Sequence, residues 1–489
     1  MVTILLILIP LIAGLLSFFL KEERAVKALS LTSSIAVLAF SLLGLTIWKD
    51  SSYQQFSAPW MQTLGSSFSL KLDGMGQILS LLNAIAYVYV SLSSWYNNYS
   101  KSSNFFGWLL LAQAGMMGVF MATDALLFYF FWELALIPMY FLCSQWGGVN
   151  RIGVSFKFFI YTFVGSVLML IGILYVQSLT PDHSFSLSSF YNLKIPVGTQ
   201  SWLFWLFFIA FAVKMPVFPF HTWQPATYEQ SPTSVTMILS GVMVKMGLLG
   251  VIRWLIPVLP LASYLWGDLA MSLGVIGVIY GSLLAIRQDD LKRLVAYSSI
   301  AHIGLMSMAL FSENVLSIQG ALLQMFDHGI NIIGIWILLD IIERRFGTRK
   351  ISELGGIAQK SPALTIFFVI IALANTALPL TNGFVGEFLM FNGIISTRSN
   401  YYLLFTVLAG LGIIFSAVYT LNMIRKSFYG EANAVTSQAV ALKLTDKIVL
   451  TSIVILILVI GVYPQVVLDI TEEFSNGWFQ KVDISYLFR

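Results

Sequence analysis

Residues 205–254 read WLFFIAFAVKMPVFPFHTWQPATYEQSPTSVTMILSGVMVKMGLLGVIRW, and this stretch decides the class of the protein. It consists of two apolar segments of membrane length, each with a lysine near its middle, Lys214 and Lys245. Between them runs a kinked connection with Pro216, Pro219, Pro225 and Pro232. An ammonium group at bilayer depth costs at least a few kcal/mol, so it survives only with a partner, in a wet cavity, or without its proton. Proline at the end of a buried helix frees backbone carbonyls, which membrane proteins tolerate where the chain lines a cavity. Two such lysines around a broken helix point to a path for protons or cations.

The rest of the chain agrees. Of 489 residues, 58% are apolar and only 10% charged, which places the sequence among membrane proteins. Apolar runs of about 20 residues predict fourteen spans, near 2–20, 28–48, 75–96, 106–122, 124–143, 152–178, 201–219, 233–256, 264–286, 291–311, 316–342, 363–396, 401–425 and 448–468. The first lacks a small-residue cleavage site and is read as a helix rather than a removable signal. No strand-like alternation supports a membrane β-barrel. The predicted fold is therefore an all-α polytopic bundle.

Lysine and arginine set its orientation. Eighteen fall in the odd-numbered connections, against six in the even connections and termini: Lys49, Lys71, Lys194, Arg398, Lys481 and Arg489. The remaining three of the 27, Lys214, Lys245 and Arg253, lie within spans. Both termini are thus expected outside. The positive surplus reports topology, not a nucleic-acid partner. The single cysteine, Cys143, excludes internal disulfides and four-cysteine zinc or iron–sulfur sites. Neither GxGxxG after a strand nor GxxxxGK[ST] occurs, so redox or nucleotide chemistry would belong to another chain.

Several buried positions carry ionisable groups. Glu133, nine residues into the fifth span, is either a neutral acid hydrogen-bonded in the core or the counter-charge of Lys214. Pairing would keep the lysine charged, and separation would let desolvation strip its proton. Lys157 either snorkels to the inner surface or joins the path. Arg253 is expected to anchor at the interface, and Glu229 to stay solvated. Lys292 begins the tenth span, with His302 about 15 Å further along the helix. The eleventh span carries Asp327 and His328 in QMFDHG. A lone buried histidine usually satisfies a core hydrogen bond, but His221, His302 and His328 all fall in or beside spans that hold charges, where imidazole can pass protons. No short ligand spacing favours a metal.

The twelfth span is interrupted by Pro379 and Gly383 and carries Glu387, which mirrors the seventh. Spans four to eight and nine to thirteen (about 106–256 and 264–425) then form two five-helix repeats of opposite topology, each with its broken helix fourth, as in transporters with midplane sites. The expected organisation is an N-terminal part, 1–105, a translocating core, 106–428, and a C-terminal part, 429–489. The last begins with a basic loop and ends in a short amphipathic tail with Asp469, Glu472 and Glu473. Residues 49–73 form an outer loop whose aromatics (Tyr53, Phe56, Trp60, Phe68) suit an interfacial cover.

FWELALIPMYFL, AFAVKMPVFPFHTWQP, SPTSVTMILSGVMVKMG, DDLKRLVAYSSIAHIG, QGALLQMFDHG and GFVGEF together resemble the antiporter-like subunits of respiratory complex I and of multisubunit cation/proton antiporters. The likeness runs over about residues 105–425. Glu387 stands where sister subunits carry lysine, and the sequence stops after the fourteenth span without a long lateral helix. The resemblance implies a proton-translocating part of a proton-pumping NADH–quinone oxidoreductase. Glu133 and Lys214 would be its coupling pair and Lys245 its central relay. His302 and His328 would carry protons across the middle, and Glu387 would be the exit-side acceptor, with Lys157, His221, Asp327 and Lys292 as secondary candidates.

It also implies no cofactor in this chain, with NADH, flavin, iron–sulfur clusters and quinone handled by partner subunits. Sister antiporter-like subunits would stand on either side in a bacterial-type inner membrane. The alternative is a subunit of a multisubunit Na+(K+)/H+ antiporter or of a membrane-bound hydrogenase-type complex. The sequence departs from the family pattern at QPATYEQSPT after HTW, at Asp327, where asparagine or a small residue is usual, and at ALPLTNG in place of GLPG. These changes put the details of the inner proton intake in question and leave the relay residues in place.

Overall fold

A computed structural model describes residues 1–48, 51–397, 399–437 and 442–482. Lys49, Arg398 and Arg489, three of the outer cations counted above, lie outside the described residues. Among the described residues, twelve helices are long and apolar enough to cross a membrane, and they match twelve of the fourteen expected spans. The other two expected spans are shorter helices. The first is Val2–Ser17, and the twelfth is two helices of 14 residues, Pro362–Asn375 and Asn382–Ile395. The chain is a multi-pass helical membrane protein.

Burial sorts the helices. The apolar window of Thr233–Leu255 is 100% buried and that of Val315–Phe346 94%, whereas those of Tyr402–Phe428 and Leu444–Val462 are 28% buried. Arg151–Leu179 and Glu23–Thr46 are also largely outward-facing. A helix apolar all round can sit at the centre of the bundle or against lipid. The two central helices are the ones that carry Lys245 and His328.

Both broken spans have a local cause. Val197–Lys214 ends two residues before Pro216, whose missing N–H and ring clash end the helix. The chain resumes helix at Gln224–Gln230 and turns into Thr233–Leu255. The second break, 376–381, contains Pro379 together with Ala377 (φ 55°) and Leu380 (φ 73°). Left-handed backbone at residues with a Cβ is costly and gathers at functional sites. Thr233–Leu255 is itself irregular, with π-helical turns at Leu239–Met243 and Val251–Leu255 on either side of Lys245. Such turns are concentrated at functional positions.

The connection after the second span holds a β-hairpin that its composition does not announce. Gln55–Pro59 (β1) and Ser67–Lys71 (β2) pair antiparallel, from Gln55 opposite Lys71 to Pro59 opposite Ser67. Gly65 turns the chain between them at φ 79°, and any Cβ there would lie 2.1 Å from the His183 carbonyl oxygen. The expected aromatic cover is present: Phe68 packs edge-on against Phe56 and Phe131, and Trp60 against Phe130. Asp124 fastens the hairpin to the bundle. Its carboxylate accepts from Ser66 Oγ (2.8 Å) and Ser67 N (2.9 Å) and caps Ala125–Trp146 through Leu126 N and Leu127 N.

The tail is an 18-residue amphipathic helix, Gln465–Val482, on the same face as the hairpin. Trp478 Nε1 donates to Ile252 O at 2.7 Å, inside the second π-helical turn. The N-terminal amine donates to Tyr53 O (3.0 Å), so the chain starts on that face as well. Arg253 is not the interfacial anchor expected. It is 1% exposed and donates to both oxygens of Asp73 at 2.6 Å and to Phe120 O at 2.7 Å. Asp73 in turn caps Gly74–Ser93 through Gly76 N. One guanidinium thereby ties three segments together beneath the tail helix.

Removing one partner of such a buried pair leaves the other charge uncompensated, which costs roughly 3–5 kcal/mol. Arg253→Ala is expected to lower the amount of folded subunit recovered from membranes and to drop its melting temperature, read by fluorescence-detected thermal unfolding. Gly115 offers a second check, since a Cβ there would lie 2.5 Å from Ala135 N. Gly115→Val should force the two helices apart and destabilise by about 1–3 kcal/mol or more, visible in the same melt.

Candidate functional site

Lys214 is the last residue of its helix, which brings its side chain to the first break. The side chain is buried, and its ammonium nitrogen lies 5.0 Å from the centre of the Trp132 ring with no hydrogen-bond partner. Glu133 follows Trp132 in the chain, is half-buried, and also has an unpartnered oxygen, Oε1. The two do not form an ion pair among the described residues. The ammonium therefore lies against the indole of Trp132, the residue before Glu133 in the chain. A desolvated cation–π contact is worth about 2 kcal/mol, well below what a buried ammonium loses from water.

The second half is continuous. Lys245, fully buried, lies 2.9 Å from His328 Nδ1 and donates to Ser240 O at 3.0 Å within the first π-helical turn. The ring centres of His328 and His302 are 5.4 Å apart. His302 Nε2 is 3.9 Å from Glu387 Oε1. Four ionisable side chains from four helices thus form one row across the buried interior. Gly247 sits against Phe211 O and Met215, so the helices bearing Lys214 and Lys245 touch.

His302 has a particular setting. Its Nδ1 is 2.8 Å from Ser298 O and its Nε2 2.8 Å from Asn375 O. Carbonyl oxygens only accept, so both ring nitrogens are satisfied when both carry hydrogen. The two carbonyls favour hydrogen on both nitrogens, while burial opposes the charge that this brings. A neutral ring would leave one nitrogen facing an acceptor. His328 differs: Nδ1 meets Lys245, and Nε2 has no partner.

Glu387 lines a narrow cavity with Leu305, Ser416 and Tyr419 at the edge of the bundle. Tyr419 OH pairs with Ser298 Oγ (2.9 Å) and donates to Ser416 Oγ (3.0 Å). Ser298 therefore links His302, through its carbonyl, to Tyr419, through its hydroxyl. Sequence reasoning missed Ser298, Asn375 and Tyr419. Asn375, just ahead of the second break, had a signal in its position, whereas nothing about Tyr419 in an apolar span sets it apart.

The secondary candidates scatter. Lys157 is exposed, donating to Thr222 O (3.0 Å) over the Tyr161 ring, the snorkelling alternative. His221 is buried against Phe218 and Tyr280 with Nδ1 unpartnered. Lys292 is 2.7 Å from Glu343, beside the Arg349 cluster, and stands apart from the row. Glu229 is half-buried rather than solvated: Arg349 (3.3 Å) and Arg293 (3.6 Å) hold it. Arg349 also bonds Asp290 and lies 3.5 Å from Glu343, which ties the first break to the second half. Asp327 faces Asn382.

Residues 122–413 match the family described as NADH:quinone oxidoreductase/Mrp antiporter, transmembrane. The chain is 35% identical to NADH-quinone oxidoreductase subunit M of Escherichia coli K12, with 97% of each chain covered. It is also 35% identical to the subunit of that name from Pseudomonas aeruginosa, with 96% of each covered. In three dimensions it is similar to a chain of respiratory complex I from Thermus thermophilus with bound NADH, at TM-score 0.90 and 26% identity, covering 99% of this chain and 100% of that one. A chain of the Mrp complex from Dietzia shares the fold at TM-score 0.86 and 19% identity, covering 97% of this chain and 52% of that one. With the family matched over most of the chain and the relatives covered nearly end to end, this protein belongs to the NADH:quinone oxidoreductase/Mrp antiporter transmembrane family.

Proposed function

We propose that this chain is the subunit M of a proton-pumping NADH–quinone oxidoreductase, a membrane-arm subunit that moves protons while other subunits carry electrons from NADH to quinone. The observation that carries the reading is the Lys245–His328–His302–Glu387 row buried inside an apolar bundle. Lysine, imidazole and carboxylate each take up and release protons; Lys245 and His328 share a hydrogen bond, and small ring movements or bridging water would complete the steps to His302 and Glu387. In this reading Lys214 and Glu133 are the switch that charges the row. When Glu133 approaches, Lys214 is held charged and repels a proton from Lys245. When they part, Lys245 can take one up.

Glu387 is the exit-side acceptor, and His302 passes protons to it. Each proton moved against the membrane potential requires about 2.3 kcal/mol per 100 mV, supplied by the remote redox step. The two broken helices stand fourth in two inverted five-helix repeats, about 106–256 and 264–425, flanked by 1–105 and 429–489. Both termini, the hairpin and the tail helix lie on the outer side of a bacterial-type inner membrane, and the Arg349 cluster on the cytoplasmic side, as the lysine and arginine bias requires. Partner subunits, including sister antiporter-like subunits on either side, hold the flavin, iron–sulfur clusters and quinone.

The test uses the whole complex in inside-out membrane vesicles. Lys245→Ala, Lys214→Ala and Glu387→Gln should each assemble. Each should lower NADH-driven proton uptake on the order of a hundredfold if the group acts as an obligatory acid–base relay, with quinone reduction slowed alongside. Wild-type proton uptake in Lys245→Ala would sink the reading. Purification in mild detergent without any flavin or iron–sulfur subunit, but with small antiporter subunits, would favour a cation/proton antiporter instead.

A further inference from the structure

Asp327 adjoins His328 in sequence, but one helical step of about 100° turns it away from the row and toward the second break. Val315–Phe346 and Asn382–Ile395 pack closely there: Gly386 lies against Gln324, and Gly393 against Ser317. Asp327 and Asn382 are both fully buried. Asn382 Nδ2 donates to Asp327 Oδ1 at 3.3 Å. The second carboxyl oxygen, Asp327 Oδ2, and the amide oxygen, Asn382 Oδ1, have no partner. Among the described residues no lysine or arginine pairs with Asp327.

A carboxylate cannot correct this arrangement, because it only accepts and Asn382 Oδ1 only accepts. A buried anion with a single long hydrogen bond also carries a penalty of several kcal/mol. One proton on Asp327 Oδ2 resolves both atoms. The O–H then donates to Asn382 Oδ1 while Asn382 Nδ2 donates to Asp327 Oδ1, closing an acid–amide ring.

We propose that Asp327 and Asn382 form a further proton-holding station of the translocation pathway, beside the central row. This rests on the reading that the row carries protons. Asn382 is the first residue of the half-helix that leaves the break, next to the left-handed Leu380. A shift of that half-helix takes the amide oxygen away from the acid. The balance is one proton: His328 gives it up as the Oδ2–H bond forms with the amide in place, and Glu387, on the same half-helix as Asn382, receives it as that bond breaks when the amide withdraws. The emptied carboxylate, next in sequence to His328, then draws the following proton along the row.

The test compares wild-type complex with Asp327→Asn and with the exchanged pair Asp327→Asn/Asn382→Asp. Its readouts are NADH-driven proton uptake and the infrared carbonyl band of protonated aspartic acid, identified by its shift in D2O. The wild type should show such a band. Asp327→Asn should lose it and pump on the order of tenfold more slowly. The exchanged pair should restore both, which a purely structural role would not do for the band. A wild-type complex with no protonated aspartic acid band overturns the proposal without any variant. So does Asp327→Asn pumping at the wild-type rate, or sodium-stimulated pumping that Asp327→Asn abolishes, which would assign the site to a metal ion. If Lys245→Ala stops pumping and Asp327→Asn does not, only this station falls. If Lys245→Ala pumps normally, the row itself fails.

Discussion

The structure depends on one constraint: an ionisable side chain inside a membrane must find its partners within the protein. Lys245, His328, His302 and Glu387 meet it by touching one another and by borrowing backbone carbonyls from Ser240, Ser298 and Asn375. This is why they sit on or against Thr233–Leu255 and Val315–Phe346, the most buried helices, and why the outward-facing helices carry apolar residues over the same depth. Lys214 meets the requirement least well, with an aromatic face and no hydrogen bond. A group left so poorly satisfied gains most when a counter-charge arrives.

Irregular backbone stands beside all of these groups but His328, which lies within a continuous helix. Lys214 ends a helix at the first break, and Lys245 follows a π-helical turn. His302 reaches Asn375 O at the edge of the second break, and Glu387 lies one turn beyond it. In hydrocarbon a regular helix hides every carbonyl in its own hydrogen bonds, so a polar path needs places where that pattern is interrupted. Left-handed Ala377 and Leu380 show that the interruption is held in place against a local cost.

Two ionic clusters close the ends of this interior. On the hairpin face, Arg253 joins Asp73 and Phe120 O beneath the tail helix, with Trp478 bonded to the adjacent carbonyl. On the opposite face, Arg349 gathers Glu229, Asp290 and Glu343. Both draw on elements distant in sequence, so each fixes how helices from different parts of the chain stand relative to one another.

The sequence by itself determined the class and most of the row. Uninterrupted apolar length identifies the spans because the bilayer demands it, and prolines amid such length mark both breaks. Lysine, histidine and glutamate at depth stand out because hydrocarbon excludes them unless they are used. The resemblance then ordered them into roles. What only the tertiary structure decided is which groups touch. Arg253 reads as an anchor near a helix end, yet Asp73, 180 residues away, makes it a buried lock. Glu229 reads as solvated, yet Arg349 claims it. Lys214 reads as the partner of a carboxylate, and the fold also sets its ammonium over the Trp132 ring. The hairpin escaped notice because its two short strands sit in an aromatic loop with no run long enough to signal them. Asp327 and Asn382 become a unit only because two helices pack closely enough to join them. Burial cost is written in local composition and so is legible along the chain, whereas pairing depends on contacts between distant segments that no local pattern encodes.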